Sequence, residues 1–95
     1  MLKLIHSMPK FPLGRLLATP NALNAVPKGE IQNALIRHHH GDWGDVCPED
    51  HASNERALIE GSRLVSVYRT RSGIKLWIIT EWNRSVTTIL LPEDY

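Results

Sequence analysis

Several features that would narrow the function of a small protein are missing from this chain. Its 95 residues contain one cysteine, Cys47, so an internal disulfide and a four-cysteine zinc site are both excluded. No apolar run approaches the roughly 20 residues that a membrane-spanning helix requires, and the first residues lack the apolar length of a signal peptide. We therefore expect a cytoplasmic protein that has no membrane partner.

An excess of either charge is also missing. Eleven Lys and Arg residues stand against ten Asp and Glu residues, which leaves a formal net charge of +1. Proteins that bind nucleic acid through its phosphates usually carry a clear basic excess, so nucleic acid is not the favoured partner. It stays an alternative because basic and aromatic residues occur together in or beside the predicted strands. These residues are Arg63, Arg69, Arg71, Lys75, Arg84, Tyr68 and Trp77.

Helix and strand signals occupy different parts of the chain. Thr19-Pro20 and Pro48 are residue types that begin helices, and Gly61 is one that ends them. From residue 64 onward, β-branched and aromatic residues indicate strands instead. We predict strands at 13–18, 64–69, 74–80 and 85–91, a short helix from residue 19, and helices at 28–39 and 48–60.

The last three predicted strands are joined by two short connections, which is typical of an antiparallel meander. The middle strand is apolar on both faces, so we place it inside the sheet. Helices must cover one face, because three strands alone do not bury enough apolar surface. The prediction is one α+β domain over residues 11–95, with an N-terminal strand, short helices and a three-stranded meander. A flexible segment is expected at residues 1–10.

Ionisable and aromatic side chains are concentrated between Arg37 and Asp45. This stretch of nine residues holds three His, two Asp, one Trp and two Gly. On a helix, neighbouring side chains point about 100° apart, so His38, His39 and His40 cannot all hold one ion. The histidines fit the end of a helix, where they interact favourably with the negative end of its dipole.

Catalytic roles are kept as alternatives for residues in and after this stretch. A metal-assisted reaction would use His40, Asp42, Asp45 and His51, although their spacing matches no standard ligand pattern. Cys47 precedes a helix N-terminus, a position typical of reactive thiols, and His51 follows four residues later as the partner in a Cys–His nucleophile pair. We predict no metal and no cofactor, and we lean against an enzyme.

Asp42, Trp43 and Asp45 lie at the corner between the second and third helices. Gly41 and Gly44 suggest a backbone with positive φ or a close approach there, and both carboxylates are able to accept hydrogen bonds from the turn. One interpretation is a rigid corner in which the indole fills space between helix and sheet. The other is a binding site that grips an arginine or amide of a partner.

Trp82, Asn83 and Arg84 form a second polar and aromatic cluster, in the turn between the last two strands. Asn is typical of tight turns because it tolerates left-handed backbone geometry. If this turn lies against the corner, Arg84 would pair with Asp42 or Asp45. We take the corner and this turn together as the candidate binding site.

A resemblance to known proteins rests on residues 14–20, Arg37-His38, residues 41–45, Asp50, Asn54, residues 61–63, residues 75–81 and residues 84–95. At these positions the chain resembles a family of uncharacterised short proteins carried by phages, plasmids and other mobile elements of proteobacteria. Some of these proteins are labelled as type I restriction subunits. The resemblance covers about residues 11–95, but such proteins often have Asp where this chain has Asn83.

The resemblance implies a mobile-element setting, in which small proteins often act by binding host machinery. We therefore expect a phage- or plasmid-borne protein that binds a host protein or ribonucleoprotein complex. Its expected role is to inhibit a defence system, in the manner of anti-CRISPR or anti-restriction proteins. A metal-assisted hydrolase or nuclease and a nucleic-acid-binding module are the alternatives, and the oligomeric state is left open.

Overall fold

The computed structural model describes residues 8–95 and confirms the α+β class. Both long helices begin and end where the sequence predicts, and the strands differ from the prediction by two residues at most. In chain order the elements are β1 (Arg15–Ala18), α1 (Pro20–Ala25), α2 (Lys28–His39), α3 (Pro48–Glu60), β2 (Leu64–Arg69), β3 (Lys75–Thr80), β4 (Val86–Leu90) and a final 3-10 turn (Pro92–Asp94).

The sheet has four strands and is mixed, which corrects the expected three-stranded antiparallel sheet. Its strand order is β1-β4-β3-β2, so β3 lies inside the sheet as predicted. β1 pairs with β4 in parallel, with Arg15 beside Val86 and Ala18 beside Ile89. A parallel pair needs a long crossover, which the three helices and two intervening strands supply here. The sequence indicated the strand but contained no local signal for its partner.

Helix ends follow from local chemistry. The Thr19 side chain accepts a hydrogen bond from the Ala22 N–H at 3.1 Å, and Pro20 occupies the first turn of α1. Gly61 ends α3 in the left-handed conformation, and its N–H donates to the Ala57 carbonyl. After its end at Gly61 the chain turns into β2, and α3 packs beside that strand.

One face of the sheet packs against α1 and α2, and we call it the helix side. Successive strand residues point to opposite faces, so the other face carries the intervening side chains, including Val67 and Trp77. A second, smaller cluster joins the corner to α3 and contains Phe11, Trp43, Ala57 and Leu64. The main cluster on the helix side contains Ala22, Val26, Ile31, Ala34, Tyr68, Leu76, Ile78, Ile89 and Leu91.

The outer edge of β2 is covered at Val65 and Val67. The Asn54 side chain donates to the Val65 carbonyl at 2.8 Å and accepts from the Val65 N–H at 3.0 Å. Two residues further along β2, the Val67 N–H donates to the Trp43 carbonyl and the Val67 carbonyl accepts from the Asp45 N–H. An uncovered edge is a template for pairing with another chain. The predicted corner therefore extends the sheet by one bridge.

Most of the expected flexible segment at residues 1–10 lies outside the described residues. Within the described part, the Lys10 N–H donates to the His39 carbonyl at 2.9 Å, which ties this residue to the end of α2. No helix formed by residues 8–95 has both the length and the apolar character needed to span a bilayer.

Candidate functional site

The indole of Trp43 is buried, with 2% of its surface exposed. Its Nε1–H donates to a carboxylate oxygen of Glu55 at 2.8 Å, and its ring stacks on Phe11 at a centroid distance of 6.1 Å. The prediction of Trp43 as a surface anchor is therefore wrong, because no partner reaches a ring packed between α3 and the sheet. Its burial supports the other interpretation, in which the indole fills space between helix and sheet.

Asp42 is held by its own neighbours in the corner. Arg37 donates to both of its carboxylate oxygens, at 2.7 and 3.2 Å, and the Gly44 N–H donates to one of them at 3.1 Å. The hydrogen bonds from Arg37 are the main reason why the pKa of Asp42 is below its ordinary value. The Asp42 carbonyl also accepts from the Tyr68 hydroxyl at 2.6 Å. Asp42 therefore acts within the turn, as the rigid-corner interpretation predicted.

Gly44 occupies the point at which the corner touches β2. Its φ is +77°, and a Cβ atom at this position would overlap the Val67 carbonyl oxygen and lie 2.6 Å from the Tyr68 ring. The expected positive φ and close approach are both present. Asp45 follows with its side chain exposed and 3.7 Å from the guanidinium of Arg69. An exposed pair at this distance contributes little stability.

The residues of the metal-site alternative are not arranged to bind an ion. Within residues 8–95, His, Cys, Asp and Glu side chains form no group of three or more that is able to hold a metal ion. His40 Nδ1–H donates to the Ile36 carbonyl at 2.9 Å, while His51 is exposed on α3. Cys47 is exposed and its side chain makes no capping bond to α3, so the alternative of a Cys47–His51 pair gains no support.

His38 is fully buried on the helix side of the sheet, between α2, β2 and β3. Its Nδ1 lies 2.6 Å from Ser66 Oγ and its Nε2 lies 2.8 Å from Thr80 Oγ1. The chain of hydroxyls continues from Thr80 to Thr87 at 2.7 Å and ends at the Leu13 carbonyl. We call these side chains the buried network.

The carbonyl at one end fixes the direction of every bond in the buried network. Thr87 must donate to the Leu13 carbonyl, which only accepts, so Thr80 donates to Thr87. The Thr80 hydrogen is then used, and His38 Nε2–H must donate to Thr80 while Nδ1 accepts from Ser66. His38 is therefore the neutral tautomer that carries its hydrogen on Nε2.

Burial lowers the pKa of His38 to about 3, with smaller contributions from the positive charges of His39 and Arg84. No buried side-chain nitrogen or oxygen within residues 8–95 lacks a partner, so the buried network is fully satisfied. The ring also contacts Phe11 and Trp43 edge-to-face. His38 thus specifies how α2 sits on the sheet, and it has no access to a substrate.

Arg84 bonds elsewhere than to Asp42 or Asp45, so the condition for their pairing, a turn that lies against the corner, is not met. Its guanidinium donates to the carbonyls of Ala57 at 3.0 Å and Ser62 at 2.5 Å. These carbonyls lie at the C-terminal end of α3, where a cation is favourable. Sequence alone did not identify carbonyls as its partners, because the contact joins residues more than 20 positions apart.

The turn itself is rigid. The Asn83 side chain accepts from both the N–H and the hydroxyl of Ser85, at 3.1 and 2.6 Å. The Arg84 N–H donates to the Glu81 carbonyl at 2.9 Å, and Arg84 adopts a φ of +60°. Between these anchored residues, Trp82 is 65% exposed. The predicted cluster is therefore a fixed turn that presents an indole to solvent.

We expect Arg84→Gln to lower the free energy of unfolding by about 1–2 kcal/mol, because the α3 carbonyls lose their charged donor. Urea denaturation followed by circular dichroism measures the change. Arg63→Gln is the matched control, since Arg63 bonds to the Tyr95 hydroxyl and Glu81 at an exposed site and should contribute less than about 1 kcal/mol. Equal losses in the two variants would contradict a capping role for Arg84.

The predicted stripe of basic and aromatic residues is not one surface. Tyr68 is buried on the helix side, and Arg84 is occupied at the end of α3. Lys75 and Trp77 do share the other face, while the Arg69 guanidinium lies 3.7 Å from Asp45 at the outer edge of β2. Comparisons of the chain with protein-family models, curated proteins and solved structures found no match.

Proposed function

We propose that this protein is a stoichiometric binding protein whose contact with its partner is centred on Trp82. The observation that carries the proposal is an indole with 65% of its surface exposed on a turn held by hydrogen bonds on both sides. Tryptophan is among the residues that most often dominate the energy of an interface. A rigid turn adds to this because little conformational freedom is lost when the partner binds.

The anchoring of the turn extends into the body of the protein. Arg84 connects it to α3, and Asn83 fixes the backbone that follows the indole. The Trp82 side chain, which precedes both residues, does not pack into the core, whereas Trp43 and Trp77 are more buried. The three predicted residues thus divide their roles: Asn83 and Arg84 position the turn, and Trp82 is the contact.

Two ionisable side chains that a reaction would be able to use, Asp42 and His38, are occupied by hydrogen bonds within the protein. Asp42 accepts three hydrogen bonds within the corner, and His38 is sealed inside the buried network. These engagements favour a binding role over the hydrolase alternative. They also account for the clustering of His, Asp and Trp residues that first suggested an active site.

The proposed partner is a host protein or ribonucleoprotein complex of a bacterial defence system. Its support is the resemblance to proteins of phages and plasmids, and the proposed compartment is the bacterial cytoplasm. In this proposal the protein inhibits its target by occupying it. Inhibition should therefore saturate at a fixed molar ratio to the target and should not increase with time.

We expect Trp82→Ala to raise the concentration needed for half-maximal inhibition by about 30-fold or more, the effect typical of a central anchor. The assay is cleavage of unmodified DNA by a purified type I restriction complex, repeated with a CRISPR nuclease. Ile59→Ala is the matched control, because Ile59 is an apolar side chain with 87% exposure on α3. Its inhibition should equal that of the parent protein.

Two measurements keep this test decisive. The unfolding free energy of Trp82→Ala should stay within about 0.5 kcal/mol of the parent, as for other exposed substitutions. Full inhibition by a folded Trp82→Ala variant would reject the turn as the contact. Absence of inhibition by the parent protein in both assays would reject a defence complex as the partner, and turnover at substoichiometric amounts would favour an enzyme.

A further inference from the structure

A shallow pocket lies between α2 and the connection from β2 to β3, away from the Trp82 turn. Its volume is about 160 Å³. Three of its lining residues are arginines, and most of the remaining ones are polar. The lining residues are Glu30, Asn33, Ala34, Arg37, Tyr68, Arg69, Thr70, Arg71 and Leu76. We propose that this arginine pocket binds a phosphate group.

Two of the three guanidinium groups are oriented while keeping donors free. Arg37 uses Nε and one Nη on Asp42, and its planar group lies 4.8 Å from the centre of the Tyr68 ring. Its remaining Nη has no partner within residues 8–95. Arg69 contacts Asp45 at 3.7 Å through one Nη and the Gly73 carbonyl at 3.5 Å through the other. Its Nε stays free in the same range of residues.

Arg71 supplies the third charge. Its backbone N–H donates to a Glu30 carboxylate oxygen at 2.8 Å, which holds this connection against α2. Its own guanidinium makes no hydrogen bond or ion pair with residues 8–95. The connection is further fixed by Thr70, whose hydroxyl accepts from the Ile74 N–H at 3.0 Å. The backbone that carries Arg71 is therefore ordered, while its charge is available.

The free guanidinium donors favour an oxyanion. The formal charges around the pocket balance, because Asp42 and Asp45 face Arg37 and Arg69, and Glu30 lines the pocket with Arg71. Guanidinium forks match the oxygen geometry of phosphate, so donor geometry and not an excess of positive charge selects the ligand. The pocket is too small for a large ligand, so the group it takes is terminal or projects from a chain.

This site is separate from the proposed contact at Trp82. The connection between β2 and β3 precedes β3, while the Trp82 turn follows it. A six-residue strand spans roughly 20 Å at 3.3 Å per residue. The two sites therefore lie at opposite ends of β3, and loss of one should leave the other intact.

The test is a titration of the ¹⁵N-labelled protein with inorganic phosphate, followed by NMR, at an ionic strength held constant with sodium chloride. We expect saturable shifts of the backbone signals of Arg69, Thr70 and Arg71. Arg71→Gln should weaken binding at least about tenfold, because a charge-assisted donor is lost. Arg56→Gln, which removes an exposed positive charge on α3, should leave the affinity unchanged. Trp82→Ala should also leave it unchanged.

Two further probes identify where the phosphate comes from. Tighter binding of adenosine 5′-monophosphate than of inorganic phosphate assigns the pocket to a terminal phosphate. Tighter binding of a ten-residue thymidine oligonucleotide, lost as salt rises, assigns it to a nucleic-acid backbone. Shifts that do not saturate, or equal weakening by Arg71→Gln and Arg56→Gln, would overturn the proposal. Either result would show a response to general charge only.

Discussion

Gly44→Ala is expected to destabilise the fold by about 3 kcal/mol or more. A side chain at φ +77° is strained by itself, and the new Cβ would overlap the Val67 carbonyl and press on the Tyr68 ring. Relief of the overlap requires the corner to move away from β2. The bonds of Val67 to Trp43 and Asp45 would then be lost, and the edge of the sheet would open.

Two other glycines serve as controls, because they share the positive φ of Gly44 but not its close contact with β2. Gly61 and Gly73 have φ values of +75° and +87°, but a Cβ atom at either position meets nothing within 4 Å. Ala at these positions should cost only about 1 kcal/mol, the strain of left-handed backbone alone. Urea denaturation of the three variants, monitored by circular dichroism and by tryptophan fluorescence, measures the difference.

The outcome decides what the corner does for the fold. A loss for Gly44→Ala that matches those of Gly61→Ala and Gly73→Ala would mean that the contact with β2 contributes nothing. A loss at least 2 kcal/mol larger would show that the corner is part of the sheet. The fluorescence of the variant should also shift toward that of exposed indole, since Trp43 is the ring that the corner buries.

Local signals predicted the parts of the fold that local chemistry determines. The bounds of α2 and α3 agree with the prediction because a proline precedes or begins each helix and a glycine follows its end. The positive φ of Gly41 and Gly44 was expected because glycine, which lacks a Cβ atom, adopts it without strain. Each of these features depends on residues that are neighbours in the chain.

The contacts that the sequence did not reveal join distant residues. β1 pairs with β4 across most of the chain, and Arg84 reaches carbonyls of α3 that have no side-chain signature. Whether Trp43 is exposed depends on Phe11, which precedes β1, and on Glu55 in α3. The polar and aromatic residues at 37–45 therefore indicated an unusual local structure, but they did not distinguish a structural corner from a binding site.

The buried network shows how misleading residue type alone is. His38 lies on the apolar stripe of α2 with Ile31, so its burial follows from helical spacing. Its partners Ser66, Thr80 and Thr87 are ordinary strand residues whose inward direction depends on the register of the sheet. The feature that makes the histidine structural is therefore spread over three strands and a helix.

The stability of the protein should fall as the pH drops from 6.5 toward 3, because His38 is protonated more readily in the unfolded chain. Its pKa is about 3 in the fold and near 6.5 when exposed. The folded state excludes a proton that the unfolded state binds, so the stabilisation is complete above pH 6.5 and decreases below it. The expected slope is about 1.4 kcal/mol per pH unit inside this window.

The measurement is urea denaturation between pH 4.5 and 8. Over this range His38 should account for a loss of about 2–3 kcal/mol. The lower limit avoids most of the titration of Asp42 and Asp94, whose lowered pKa values also cost stability in acid. His38→Gln keeps a donor and an acceptor at the site but removes the titration, so its stability should change far less across the same range. His51→Gln, at an exposed position, should retain the slope of the parent.

A direct observation of the ring makes the prediction independent of how well His38→Gln folds. In ¹⁵N NMR spectra of the parent protein at pH 5, His38 should still be neutral, with its hydrogen on Nε2 and an unprotonated Nδ1 that accepts from Ser66. A ring protonated at pH 5, or one that carries its hydrogen on Nδ1, would contradict the bond directions of the buried network. So would a stability profile for His38→Gln that matches the parent at every pH, because the acid sensitivity would then come from other groups.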